Sequence, residues 1–242
     1  MIRSISIVFP CYNEADRLKY TFKDIKKFQE KKITRNFEII FVNDGSSDNT
    51  FQILKKYKNE NIKLKRNIKI ISYKKNKGKG YALKKGIKIS RFDWILTLDT
   101  DISVSITQLS DWLKNKRINK ERFVYFGSRN LKDSKIKFRV YRKLIGLIFV
   151  KIIKIFFSIN LSDTQCGFKL YKKDIAKKLF LNLKILDFTH DIEIVLKSKK
   201  KGYKIEELPV NWIHKKGSKI SVFKDSLKMF ISLLKMKFIY SK

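Results

Sequence analysis

Four times within the first hundred residues a short apolar run leads into a polar loop, and after each of the first three comes a segment whose apolar residues recur at helical spacing. The runs are Ser4–Phe9, Phe37–Val42, Ile68–Tyr73 and the stretch from Trp94 to Asp99. Between them, Leu18, Phe22, Ile25 and Phe28, then Leu54 and Tyr57, then Ala82, Leu83 and Ile87 mark one apolar face each. Near-continuous apolar runs are what strands buried on both faces require. Their alternation with amphipathic helices predicts βαβ units with right-handed crossovers, hence an α/β fold with a mostly parallel sheet flanked by helices.

In such a sheet, ligands bind beyond the carboxyl ends of the strands. The loops after strands one, two and four carry Tyr12-Asn13-Glu14, Asp44-Gly45-Ser46 and Asp99-Thr100-Asp101. All three clusters therefore fall on one edge, which points to a phosphate- or nucleotide-binding site. With a period of two along a strand, Asp99 and Asp101 start on the same face, so both can reach one Mg2+ or Mn2+ ion, directly or through water. Asp48, with Gly45 and Ser46 in the tight turn before it, is placed to cap the helix that follows.

Composition narrows the class further. The 242 residues are 43% apolar and 13% aromatic, enough for a sizeable core, and only two prolines and nine glycines leave no evident linker. The 57 Lys and Arg against 22 Asp and Glu give a net charge of +35 and an expectation of anionic partners. Cys11 and Cys166 form no Cys-x-x-Cys pair, so a structural zinc site and a disulfide framework are unsupported. His190 and His214 form no metal-ligand pattern and read as structural. The chain enters a strand-like run at once, without the features of a signal peptide, and holds no uncharged apolar stretch of the roughly 20 residues that span a bilayer.

With these loops assembled, the chain resembles the family 2 glycosyltransferases of GT-A (Rossmann-like) fold, which transfer sugars from nucleotide-sugar donors with inversion. The likeness is carried by an ordered set: Pro10-Cys-Tyr-Asn-Glu14, Asn43-Asp-Gly-Ser46, Asn76-Lys-Gly-Lys-Gly80, Asp99-Thr-Asp101, Gly127-Ser-Arg129, Asp163-Thr-Gln-Cys-Gly-Phe-Lys169 and Gly217-Ser-Lys219. Within the family it is most similar to the polyprenyl-phosphate sugar transferases, in particular the dolichyl-phosphate β-glucosyltransferases. That resemblance implies transfer of a hexose to a polyprenyl or dolichyl phosphate, with UDP-glucose favoured as donor and GDP-mannose next.

The resemblance also implies roles. Pro10, Tyr12, Glu14 and Asp44 would hold the nucleoside, with Asp44 accepting from the base, and Lys79, Asp99, Thr100 and Asp101 would complete the nucleotide-sugar site. Asp101 would be the more direct ligand of Mg2+ or Mn2+, with Asp99 nearer the ribose or a metal-bound water. Ser103 stands where mannose synthases keep a supplementary Gln, and Asn43 replaces the first Asp of the commoner Asp-Asp-Gly-Ser. Arg129 and Arg142 would hold the acceptor phosphate or the diphosphate, with Lys219 closing from the C-terminal side; a planar guanidinium suits a phosphate because it donates two hydrogen bonds at once. Asp163 and Asp191 are the carboxylates expected to orient the acceptor or take a proton, although Asp191 is equally placed to cap the helix after it.

The implied organisation is a donor half over 1–104, an acceptor half over 105–221 and an amphipathic C-terminal helix over 222–242. Residues 140–157 and 222–240 mix aromatic and aliphatic residues with Lys and Arg, which suits helices lying in a bilayer interface and equally helices packed on the core. The expected partners are a nucleotide-sugar, a polyprenyl phosphate and the inner, cytoplasmic face of a membrane, with no nucleic acid. Two rival readings are a family 2 enzyme acting on a soluble saccharide and a basic nucleic-acid-binding protein. The latter predicts steeply salt-dependent binding and aromatics interleaved with Lys and Arg on an exposed sheet.

Overall fold

A computed structural model describes residues 2–119, 122–137, 151, 153–215 and 222–240. Its first four strands are β1 (Ser4–Cys11), β2 (Asn36–Asp44), β3 (Ile68–Tyr73) and β4 (Trp94–Thr97), joined through helices α1 (Leu18–Glu30), α2 (Thr50–Glu60) and α3 (Lys79–Ile89). They pair in parallel, β3 with β2, β2 with β1 and β1 with β4. The expected βαβ order is therefore realised, and the fourth strand closes at Thr97, just before Asp99.

The second half of the chain extends the same sheet. After α4 (Gln108–Lys114) come β5 (Val124–Ser128), β6 (Lys135–Lys137), β7 (Lys169–Lys172), α5 (Lys173–Phe180), α6 (His190–Lys200), β8 (Ile205–Pro209), β9 (Asn211–Ile213) and α7 (Val222–Tyr240). The seven-stranded order is β3-β2-β1-β4-β7-β5-β8, while β6 and β9 form a separate two-stranded sheet. Among the described strands of this sheet, β7 alone runs antiparallel, between β4 and β5. Reversed in this way, it delivers the residues preceding Lys169 to the edge where β1, β2 and β4 end.

Period two along the strands splits the core. Ile5, Ile7, Phe9, Ile39 and Phe41 face α1, α2 and α4, packing with Leu18, Ile25, Phe28, Leu54 and Trp112. Val8, Ile40 and Val42 face the other way, against Leu83 and Ile87 of α3, Leu179 of α5, Ile192 of α6 and Leu233 and Met236 of α7.

Helix α7 is therefore not wholly interfacial. One side is buried, and it is pinned by Ser232 Oγ donating to Asp187 Oδ2 at 2.6 Å and Tyr240 Oη donating to Glu193 Oε1 at 2.7 Å. Its other side leaves Ile231, Leu234 and Phe238 exposed, Phe238 by 83%, among Lys235 and Lys237. Of the 140–157 segment, residues 140–150 and 152 lie outside the described residues; 153–157 are helical, with Ile153 buried and Ile155 exposed. Among the described residues, no helix is long and apolar enough to cross a membrane.

Candidate active site

The three acidic loops meet and are tied to one another. Asn13, at φ 53°, donates its backbone N–H to Ser46 Oγ at 2.9 Å and accepts from Ser47 N at 2.8 Å. Glu14 N donates to Thr50 Oγ1 at 2.7 Å, and Thr100 Oγ1 donates to the carbonyl of Pro10 at 2.8 Å. Asp48 accepts from Thr50 N at 3.0 Å, but it stands one residue before the start of α2: the N-cap is Asn49, without a side-chain cap hydrogen bond, and not the expected Asp48. Tyr12 projects from this edge 44% exposed, with a ring face available for stacking.

Several side chains expected to face a ligand are instead committed to the scaffold. The Glu14 carboxylate is gripped by both ends of the Arg17 guanidinium, three residues on at the start of α1. Asp44 is buried, and it accepts from Lys77 N at 2.8 Å, Gly78 N at 2.9 Å and Asn76 Nδ2 at 3.0 Å. It therefore shapes the loop entering α3, and in this state most of its acceptor capacity is used before any base arrives. Thr100 points inward, 2% exposed, between Pro10 and Cys11, while its carbonyl accepts from Thr21 Oγ1 at 2.6 Å. Alternation along the Asp99-Thr100-Asp101 turn sends the two carboxylates outward and the hydroxyl into the core.

The carboxylates differ in their surroundings. Asp99 Oδ1 lies 2.5 Å from Lys79 Nζ in the first turn of α3, and although burial opposes ionisation, this ammonium holds the Asp99 carboxyl below the usual range. Lys79 is thus the partner of Asp99 rather than a free phosphate cation. Asp101 accepts from Ser103 N at 2.9 Å, and burial followed by the Asp99 charge pushes its carboxyl upward. Ile102, directly after it, sits at φ 54°, a left-handed conformation that is strained for a β-branched residue. Gly167 closes the site from behind: a Cβ there would lie 2.3 Å from Asp99 Oδ2, so this carboxylate rests directly on the Gly167 backbone.

On the other side, Asp163 and Arg129 are locked together. Asp163 Oδ2 accepts from Arg129 N at 3.0 Å and Nε at 2.6 Å, and Oδ1 accepts from Arg129 Nη2 at 2.9 Å and Gln165 N at 3.0 Å. Despite burial, the guanidinium keeps the Asp163 carboxyl below the usual range, which suits an anchor and not a proton acceptor. Asp163 N is in turn held by Glu207 Oε1 at 2.9 Å. Asp191 is not a helix cap either, since α6 begins at His190 and the Asp191 side chain is buried. Its Oδ1 lies 2.8 Å from Lys169 Nζ and 3.2 Å from His190 Nε2, and the neighbouring His190 ring and the ammoniums of Lys169 and Lys79 outweigh burial and hold its carboxyl far below the usual range. Arg142 and Lys219 lie outside the described residues. Cys166 is buried, which pushes its thiol up to about 11, as fits packing and not nucleophilic attack.

A small recess joins the two sides, lined by Asp99, Ser103, Arg129, Gln165, Gly167 and Trp212 among others. The donor set fits a hard divalent cation: two carboxylates on one turn, one of them pushed toward protonation by the other, are what a positive ion relieves. Among the described residues no third Asp, Glu, His or Cys joins them. Mg2+-type sites commonly use one or two carboxylates and take the remaining oxygens from substrate phosphates and water.

The mostly parallel sheet, with Asp99 and Asp101 beyond its carboxyl edge, has the GT-A architecture of glycosyltransferases, and solved structures share it. Glucosyl-3-phosphoglycerate synthase from Mycobacterium tuberculosis, in complex with Mn2+, uridine diphosphate and glucosyl-3-phosphoglycerate, superposes with a TM-score of 0.65 at 14% identity, over 97% of this chain and 80% of that one. The mannosyltransferase PcManGT from Pyrobaculum calidifontis, in complex with GDP-Man and Mn2+, gives 0.58 at 14% identity over 89% and 57%. Residues 6–180 match the Glycosyl transferase family 2 pattern, and the chain belongs to that family. It is 31% identical to dolichyl-phosphate beta-glucosyltransferase of Dictyostelium discoideum, over 98% of this chain and 74% of that protein, and 31% identical to that of Saccharomyces cerevisiae, over 98% and 75%.

Lys169 is the residue whose part the sequence did not disclose. It belongs to the Asp163–Lys169 run, yet the visible sign was only a charge set between Phe168 and Leu170 in an apolar strand. That sign marks a buried, partnered cation.

Proposed function

We propose that the chain transfers glucose, with inversion, from UDP-glucose to dolichyl phosphate or a related polyprenyl phosphate, with GDP-mannose the second candidate donor. The observation that carries this reading is the recess itself, which sets Asp99 of the donor loops opposite Arg129 of the acceptor side. The names of the relatives, similar across nearly the whole chain, supply the sugar and the lipid class. In this division, 1–104 bind the donor and 105–221, with Arg129, Arg142 and Lys219, receive the acceptor phosphate.

A bound Mg2+ or Mn2+ on Asp101 and Asp99 would neutralise charge on the donor diphosphate. The chain's own groups do the rest. Tyr12 offers its ring to the base, the 76–78 loop braced by Asp44 borders the nucleoside, and the Lys79 ammonium keeps Asp99 ionised. A lipid phosphate oxygen is already anionic near neutral pH, so attack on the anomeric carbon needs positioning more than deprotonation. The commitment of Asp163 to Arg129 and of Asp191 to Lys169 is in keeping with a reaction that has no dedicated general base.

The exposed Ile155, Ile231, Leu234 and Phe238, with Lys235 and Lys237 between them, are the surface by which the protein would rest on a cytoplasmic leaflet. Each basic residue close to an anionic surface adds about 1 kcal/mol. The test combines UDP- and GDP-sugars with polyprenyl phosphate, a soluble saccharide and no acceptor, alongside co-flotation with anionic vesicles. Glucosyl polyprenyl phosphate formed only from UDP-glucose and divalent metal is the expected result. Glucose appearing on the saccharide alone overturns the acceptor, and salt-sensitive oligonucleotide binding without any transfer overturns the enzyme.

A further inference from the structure

Behind Asp99 lies a second, fully buried charge pair that the transfer chemistry does not use. Lys169 is 1% exposed; its Nζ lies 2.8 Å from Asp191 Oδ1, donates to the carbonyl of Cys166 at 2.6 Å and sits 4.7 Å from the centre of the Phe126 ring. A buried ammonium and carboxylate are expensive to desolvate, and an apolar pair of the same volume would pack at least as well. Register gives the pair a different use. Lys169 lies opposite Thr97 in the antiparallel β4–β7 ladder, so two residues further along β4 and two back along β7 Asp99 meets Gly167. The Cys166 carbonyl that Lys169 holds is the peptide oxygen immediately before Gly167, the residue whose backbone carries the Asp99 carboxylate.

The same pair reaches the cation of the Asp99 ion pair. Asp191 lies beside His190, whose Nδ1 is 2.8 Å from the Asp187 carbonyl and whose Cβ would be 2.8 Å from a Cβ placed on Gly80. Gly80 N donates to the Leu186 carbonyl at 2.8 Å, seating the first turn of α3, and with it Lys79, on this loop. Both members of the Lys79–Asp99 pair thus stand on backbone that Lys169 and Asp191 fix. We propose that Lys169 is a positioning residue for the donor site, clamping the Cys166–Gly167 turn and Asp191 so that the Asp99 carboxylate and Lys79 ammonium keep their placement. It does not touch the reacting atoms.

This inference rests on Asp99 acting at the donor site, and its test separates the two. Lys169→Met alone strands Asp191, so the informative protein is Lys169→Met/Asp191→Asn, which removes both charges and restores the melting temperature to near wild type. A positioning role predicts that this stable double variant still loses roughly tenfold or more in kcat and in affinity for UDP plus Mn2+, read by calorimetry. A double variant matching wild type in melting, kcat and UDP–Mn2+ affinity to within about twofold overturns it. Should wild type bind no UDP with Mn2+, the functional reading fails, and a crystal structure of the double variant decides the placement claim. An Asp99 carboxylate moved off Lys79 and Gly167 supports it, and an unmoved one overturns it. Should the double variant not fold, Lys169→Leu/Asp191→Leu, which replaces the pair by apolar groups of similar size and removes the donor to the Cys166 carbonyl, carries the same readouts with the same two outcomes.

Discussion

Two clusters of charge sit at opposite ends of the same parallel strands. Toward the amino ends of β1 and β2, Glu38 is fully buried and saturated: it accepts from Ser6 Oγ at 2.7 Å and Arg91 N at 2.8 Å, with Lys69 Nζ at 2.8 Å and Arg91 Nε at 3.3 Å. At the carboxyl ends, Asp99 has one ammonium partner and Asp101 has a backbone N–H and the repulsion of Asp99. The shifts follow suit, Glu38 and Asp99 lowered but Asp101 raised. Buried charge that is satisfied from within closes a scaffold, whereas charge left short of cations is where a ligand completes the balance.

Substitutions at the two ends should give opposite signatures. The largest effect is expected for Asp101→Ala, with transfer falling about a thousandfold or more and the melting temperature nearly unchanged, measured by radiolabelled product and thermal unfolding. Near-normal turnover would remove Asp101 from the metal role. Gly167→Ala comes next, since its Cβ must displace Asp99; a loss of about 10–100-fold in kcat/KM for the donor is expected, with stability less affected. Glu38→Gln should do the reverse, costing about 1–3 kcal/mol in denaturant unfolding while kcat stays within about twofold. A comparable loss of activity there would erase the distinction between the two ends.

The smallest effect lies in the pH dependence of stability, where the sign differs between Asp101 and the carboxylates that are paired with cations. The Glu38 and Asp163 carboxyls are lowered in the folded state, so their contribution is present above the ordinary carboxylate range and is lost as pH falls through their folded values. Glu38→Gln should therefore flatten the acid limb of the stability curve. Asp101 is raised, so its ionisation works against the fold as pH rises, and Asp101→Asn should leave melting at neutral pH unchanged or slightly higher. A lower melting temperature for Asp101→Asn than for wild type across that range would contradict the raised carboxyl.

The donor edge was legible because its information is local. Unbroken apolar runs such as Phe37–Val42 announce buried strands, and parallel pairing sends the loops that follow them to one side. What stayed hidden depends on which residue is opposite which. Thr100 turns inward because the chain bends after Thr97, and Asp99 rests on Gly167 because β7 is inserted antiparallel 70 residues later. The Lys169–Asp191 contact likewise spans a helix and a strand that no periodicity aligns. The Glu14–Arg17 pair, by contrast, is local, its partners three residues apart in the loop that enters α1.

Helix α7 couples to this edge mechanically. Ser232 binds Asp187, Asp187 caps the turn before His190, and Leu186 in that turn seats the start of α3. A load applied to the exposed Phe238 and Leu234 face is therefore borne by the loop beneath Lys79. The helix serves as a strut footed on the loop beneath Lys79, and shortening it from Tyr240 inward would loosen first the Glu193 contact and then the Asp187 brace.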